Sequence, residues 1–444
     1  MNHQSQITIT GGLDIPMYKK KEVALDMERP ICVSIGPYHR NDSKLARMEN
    51  TKLRCFKYIT TGDYLNLPVY LNANLSQELT FFRESYFCGR VEDFRKLYRQ
   101  NYQIVKNTHG FLEMLILDAC FIICFIISVL EMNDQRHKIV GIFKNSQTST
   151  EKLFDELTAS KRDNIFNDLI VLDNQIPFES MEVIWNVLKI KNIVKQDSFL
   201  IDVISDYFYS LFPGKKHNHT ECNLPIIHIL HLCHHNICNH HSNPENKEKC
   251  IHGSFSGDWK PDGHRIPCAA ELDKVGMKFK RKEDCESFLD ITFENGVLKI
   301  PNIAMSDHGR IMFHNLQKFE DLFNEKTEIS SQVKAYIMLM CFLIKTSDDA
   351  KILSQAGILN DRIGVLENDI PKFFNELSTI KTNGTNYYQH ELSKDINKYY
   401  KTWYNLWIAI LKRNYRNNPW FIVSSIVATI LLFSAIDMII RNIG

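Results

Sequence analysis

The chain has 444 residues, 44% of them hydrophobic and 24% charged, a mix that supports an ample core and excludes a disordered tail. Lys and Arg number 53 against 52 Asp and Glu, so a formal charge of +1 gives no overall field to recruit nucleic acid, and the short basic runs at 19–21 and 278–282 read as solvated surface. The 12 cysteines fall far below the density of a disulfide scaffold and the first residues lack the apolar stretch of a signal peptide, so most thiols are expected to be reduced.

In chain order, 1–27 reads as an N-terminal extension, 28–411 as a helical body, 412–419 as a basic juxtamembrane segment, 420–440 as a transmembrane helix and 441–444 as a short tail. Ile31, Val33 and Ile35 alternate ahead of a Gly36-Pro37 turn, the pattern of a short strand with one buried face. Helical periodicity follows over 91–105, 111–130, 178–190, 332–344 and 394–411. At 168–177 (DLIVLDNQIP), Asp173, Asn174 and Gln175 come directly after an apolar stretch, where side-chain amides tie a core turn by bonding to the backbone. Residues 239–265, bounded by Asn239 and Arg265, are rich in Asn, His, Gly, Lys and Pro and read as a long exposed loop.

A hairpin is written into 289–301 (LDITFENGVLKIP). Asn295-Gly296 suits a type I′ loop, and a two-residue loop puts Phe293 opposite Leu298 and Ile291 opposite Ile300. Further on, Thr346 and Asp349 have capping-box spacing before a helix over 350–356, and Gly357 stands where a left-handed C-cap falls. The fold class is therefore mainly α: a multi-helix globular body with a small β-hairpin and a single C-terminal transmembrane helix.

The anchor runs from Trp420 to Ile440, which at 1.5 Å per residue spans roughly 32 Å, close to the hydrocarbon thickness of a bilayer. Its one charge, Asp437, lies within a turn of the far end, in reach of the interface. Trp403, Tyr404, Trp407 and Tyr415 precede it among Lys401, Lys412, Arg413 and Arg416, whereas only Arg441 follows. That asymmetry puts the large N-terminal portion in the cytosol, on a plasma membrane or endomembrane, and the four residues beyond the span imply a tail-anchored topology. Ser424 and Ala428 give one small-xxx-small spacing for self-association. The stretch at 111–130 contains Glu113 and Asp118, which leaves an uncharged run too short to span, and it reads with 335–344 as a core helix.

For chemistry, the densest cluster is the His/Cys stretch 217–268, which includes His228, His231, Cys233, His234, His235 and Cys238. It has no paired knuckles with a fixed linker, and 224–238 reads as an amphipathic helix, so the histidines are expected to be packed or solvated and no metal is assigned. No G-x-G-x-x-G or G-x4-G-K-[ST] occurs, Phe255 occupies the place a nucleophile elbow gives to serine, and adjacent Asp348 and Asp349 fit helix initiation better than a catalytic pair. No catalytic residue and no cofactor site is expected.

Together the landmarks form a series: 33–39 (VSIGPYH), Met48-Glu49 with Lys52 and Arg54, 111–121 (FLEMLILDACF), 168–178 (DLIVLDNQIPF), 293–301 (FENGVLKIP) and 417–420 (NNPW). In this order they resemble the plant Domain of Unknown Function 247 family, over about 28–440. Ala119 stands where that family usually has glycine, Asp173 where it has glutamate, and Glu179 where a second phenylalanine follows Phe178. The resemblance implies a plant membrane protein with a helical body and a C-terminal anchor, and it supplies no enzyme. Some relatives act in pollen-side self-incompatibility recognition in grasses, which implies that loops on this scaffold contact protein partners. The expectation is a non-enzymatic interaction protein that presents 239–265 to an unidentified protein. The competing expectation is an enzyme or metal-binding protein with a site near 217–268.

Overall fold

The structure is a computed structural model, and it describes residues 29–61, 72–87, 89–98, 107, 108–132, 162–209, 225–238, 265–304, 307–324, 331–360, 369–378, 390–402, 407 and 419–443. The helices in chain order are α1 (Arg47–Thr61), α2 (Asn72–Phe82) running into a π-helical turn at Arg83–Phe87, α3 (Val91–Lys96), α4 (Thr108–Met132), α5 (Arg162–Ile170), α6 (Phe178–Ile190), α7 (Leu200–Tyr209), α8 (Ile229–Cys238) and α9 (Ala269–Lys274). Strands β1 (Lys278–Lys282), β2 (Thr292–Glu294) and β3 (Val297–Pro301) come next. They are followed by α10 (Asp307–Asn324), α11 (Gln332–Leu343), α12 (Ser347–Gln355), α13 (Asp369–Ser378), α14 (His390–Lys401) and α15 (Pro419–Ile443). The chain is mainly helical, as its periodicity implies.

Chain contacts divide it into two compact units, each discontinuous in sequence. One comprises 1–249, 284–289 and 303–334, and the other 250–283, 290–302 and 335–444. In the first unit α4 is the central element, and α1 and α6 pack against it. Phe111, Leu115, Phe121 and Phe125 on α4 are fully buried. The Phe125 ring meets Tyr207 of α7 edge-on at 5.9 Å, and Phe166 of α5 meets the same tyrosine at 5.6 Å.

Residues Thr108–Val129 of α4 are long and apolar enough to cross a membrane, and 94% of their most apolar window is buried within the fold. Glu113 and Asp118 do not shorten the apolar helix as expected, because it continues through both. Glu113 sits 3.6 Å from Arg83, and Asp118 is paired internally. The helix forms the core because its surface is already covered by protein.

In the second unit the hairpin has the expected register, with Phe293 opposite Leu298 and Glu294 opposite Val297. Asn295 and Gly296 both have positive φ, 50° and 76°, as a type I′ loop requires. A Cβ on Gly296 would lie 2.6 Å from the Tyr399 hydroxyl, so the turn needs glycine for space as well as for conformation. Tyr399 of α14 in turn meets Phe293 edge-on at 5.7 Å.

The hairpin is part of a larger sheet. β1 pairs parallel with β3 in the order β1-β3-β2, which makes the basic run 278–282 an edge strand. Its charged side chains suit an edge, where they oppose further pairing, and Lys282 is bound 2.6 Å from Asp290. The parallel partner was hidden because KFKRK has no apolar alternation to signal a strand.

Helix α12 carries both expected caps. The Thr346 side chain accepts from the Asp349 N–H, and the Asp349 carboxylate accepts from the Thr346 N–H at 2.9 Å. At its end Gly357 has φ +72°, the Ile358 N–H reaches Leu353 O at 3.0 Å and the Gly357 N–H reaches Ser354 O at 2.9 Å, a complete Schellman motif. Asp349 also accepts from the Ala270 N–H at 2.8 Å, so one carboxylate serves the starts of α9 and α12.

Candidate functional site

Two polar constellations stand out in the first unit. The earlier one is built on the backbone of residues 31–36, which forms no strand. A strand was expected there, and Ile31 is exposed whereas Val33 and Ile35 are buried. Side chains replace the missing partner. Asp168, at the end of α5, accepts the N–H groups of Ile31, Cys32 and Val33 at 2.8, 2.7 and 2.6 Å. Asn174 accepts from the Ile35 N–H at 2.6 Å and donates to Val33 O and Asp168 O. Gln175 donates to Leu169 O and Val171 O, both at 2.8 Å, and accepts from the Leu230 N–H. The amides of the DLIVLDNQIP run thus tie a core turn as expected.

Gly36 closes the segment with φ +75°, where a Cβ would come within 2.5 Å of Gln175 O. Its N–H donates to Asp118 Oδ2 at 2.8 Å, and the other Asp118 oxygen lies 2.7 Å from Lys52 Nζ. Lys52 also donates to Glu49 at 2.6 Å and to Ser34 O. The landmark residues of 33–39, Glu49 and Lys52, 111–121 and 168–178 therefore converge on one network.

Burial pushes the Asp168 carboxyl up to about 7, against the three amide bonds that favour its ionised form. Asp118 is likewise raised by burial, and Lys52 opposes the shift. Every member of this network is engaged by backbone or by an opposite charge, and none offers a free nucleophile or an acid–base pair. Its chemistry is that of a clasp.

The later constellation is α8. Its entire length is buried, including His231, His234 and His235, and so is His228 just before it, so these histidines are packed and not solvated. The His231 N–H donates to His228 Nδ1 at 3.0 Å, and burial lowers the His228 pKa to about 3. Phe319 of α10 lies among the rings, with centroids 5.5 Å from His228, 5.5 Å from His231 and 5.2 Å from His234.

At the end of α8, His234 Nε2 is 2.8 Å from Glu320 Oε1 and 3.5 Å from Cys238 Sγ, and one donor atom from each of the three lies within 4.8 Å of the others. Glu320 itself accepts the N–H groups of Val333 and Lys334, each at 2.9 Å, at the first turn of α11. Burial and then the Glu320 charge push the Cys238 thiol well up. Both contacts of the imidazole fall on the same ring nitrogen. A catalytic cysteine needs a lowered pKa, and burial moves the Cys238 thiol the other way.

Sequence reasoning found His234 and Cys238 but not Glu320, which is 86 residues from His234. No spacing rule reaches that far. Cys222, His240, His241, Cys250 and His252 lie outside the described residues.

The remaining expected sites fall elsewhere. Trp420 and Ile440 both lie in α15, a single helix of 25 residues that begins at Pro419, a favoured first position. Along it Val423, Ile426, Val427, Ile430, Leu431, Leu432, Phe433 and Ile436 are exposed, by 44% to 67%. Arg265 is exposed, and its carbonyl accepts from Asn397 at 3.1 Å. Asn239 and the rest of the loop to residue 264 lie outside the described residues.

The family model described as plant protein of unknown function, DUF247, matches residues 18–434. The UPF0481 protein At3g47200 of Arabidopsis thaliana is 24% identical over 412 residues, covering 89% of this chain and 79% of that protein. No solved structure matches. With the landmark residues of 33–39, Glu49 and Lys52, 111–121 and 168–178 gathered into one buried clasp and the family model spanning nearly the whole length, the chain belongs to the DUF247 family of plant proteins of unknown function.

Proposed function

We propose that this protein is a membrane-tethered, non-enzymatic interaction scaffold, held at a bilayer by α15 and presenting its helical body to a protein partner on the cytosolic side. The observation that carries the reading is the exposure of eight large apolar side chains on α15. At 100° per residue they point in every direction around the helix and not along one stripe, the pattern of a helix solvated by lipid. Its 25 residues span roughly 37 Å, enough to cross with some tilt. Lys412, Arg413 and Arg416 before the helix, against Arg441 near its end, favour a cytosolic body.

The non-enzymatic reading is supported by the described residues, in which the buried carboxylates are tied to amides or to Lys52 and burial pushes the Cys233 and Cys238 thiols up. Candidate partner contacts centre on 239–265, beginning at Asn239 and ending at the exposed Arg265.

Proximity labelling in plant cells with the full chain and with a form lacking 420–444 tests the proposal. A changed set of labelled neighbours, with the truncated form in the soluble fraction, is expected. An unchanged set would overturn the tethering. Protease treatment of intact vesicles decides the side, since a cytosolic body is digested from the cytosolic face.

A further inference from the structure

We propose that His234, Cys238 and Glu320 bind a zinc ion. His234 and Cys238 are four residues apart on α8 and so share one face, and Glu320 of α10 meets them there. Imidazole nitrogen, thiolate sulfur and carboxylate oxygen are the donor types zinc takes. Tetrahedral zinc separates a nitrogen and a sulfur ligand by about 3.6 Å, and His234 Nε2 to Cys238 Sγ is 3.5 Å. The His234–Glu320 separation of 2.8 Å needs to widen by about 0.5 Å, a small turn of the imidazole.

Two features favour an ion over a plain side-chain contact. The first is convergence. A carboxylate oxygen and a sulfur both meet the one ring nitrogen of His234, so three donor types of zinc face a common point. A cation at the centre satisfies all three donors at once. The second is preorganisation, because the Val333 and Lys334 amides hold the Glu320 carboxylate in place, the role outer partners play at metal centres. A helix cap alone would need Glu320 and those amides but neither the thiol nor the imidazole.

Charge also balances: one thiolate and one carboxylate neutralise a divalent ion, with the imidazole neutral, in a site where all three side chains are buried. On binding, the sulfur–zinc bond forms as the Cys238 thiol proton leaves to solvent.

The test uses the full chain purified in mild detergent. Elemental analysis is expected to find one zinc per chain. After chelation and reloading with Co2+, a thiolate-to-cobalt charge-transfer band should appear with tetrahedral visible bands. Cys238→Ser should abolish the charge-transfer band, Glu320→Gln should weaken Co2+ binding by at least about tenfold, and Cys233→Ser should change neither. Folded wild-type protein with no zinc and no cobalt–thiolate band would overturn the proposal, and so would a folded Cys238→Ser variant that kept the band. Should a variant unfold, the wild-type cobalt spectrum decides alone.

Discussion

Lys52 Nζ lies 2.7 Å from Asp118 Oδ1, and neither side chain has any exposed surface. The pair joins α1 to α4, the central helix of its unit, and Asp118 also receives the Gly36 N–H. Removing Lys52 leaves Asp118 buried without its ion-pair partner, a penalty of about 3–5 kcal/mol, whereas Lys52 keeps Glu49 when Asp118 is removed. Lys52→Met is expected to lower unfolding stability by about that amount, and Asp118→Leu by less. Lys52→Met with Asp118→Leu should lose clearly less than the two single changes summed, and a double-mutant cycle in urea reads the difference. Additive losses would show that the two side chains act separately.

Gly36 is the tightest backbone position in the clasp, with φ +75° and Gln175 O 2.5 Å from where a Cβ would stand. Gly36→Ala is expected to destabilise by about 2 kcal/mol or more, since alanine must accept both a left-handed backbone and a clash with main chain. Gly89 also has positive φ but nothing near its Cβ position. Gly89→Ala should therefore be clearly milder in the same thermal melt.

His228 supplies a pH dependence. Its Nδ1 accepts the His231 N–H, which only the neutral ring can do, and burial lowers its pKa from 6.5 to about 3. Below pH 6.5 the unfolded chain takes up a proton that the native state refuses. The contribution of His228 is thus complete above pH 6.5 and is lost as pH falls toward 3, by about 2 kcal/mol at pH 5. Urea midpoints at pH 7.5 and 5.0 should fall less for His228→Gln than for the wild type. Equal falls would rule out a buried neutral His228.

Thr346 caps α12 from its side chain while Asp349 returns the bond. Thr346→Ala is expected to lower stability by about 1 kcal/mol. Asp349→Ala should lose more, because Asp349 also holds the Ala270 N–H at the start of α9. A reversed order in chemical denaturation would contradict the shared cap.

Leu431 lies midway along α15 and is exposed. If that helix crosses a bilayer, Leu431→Arg carries an insertion penalty of about 2.5–3.5 kcal/mol. The variant is expected to move from the carbonate-resistant pellet to the supernatant. Full retention in the pellet would tell against α15 as the spanning helix.

What the sequence determined by itself is local. The Asn295-Gly296 loop and its register, the caps of α12, the limits of α6 and the uninterrupted α15 follow from neighbouring residues, because turn angles, orphan amides and helical periodicity act within a few positions. The amides of Asn174 and Gln175 were legible as backbone ties, but their targets were not. That Ile31, Cys32 and Val33 would give their N–H groups to a carboxylate 135 to 137 residues away, in place of a strand, depends on α5 reaching them. The same holds for β1, whose alternation is masked by lysines, and for α4, whose apolar length suits a membrane or a core equally until neighbouring helices cover it. Only the tertiary structure brings Glu320 to His234 and Cys238, because sequence patterns carry information about adjacent turns, whereas a buried polar site is assembled by whichever distant elements pack together.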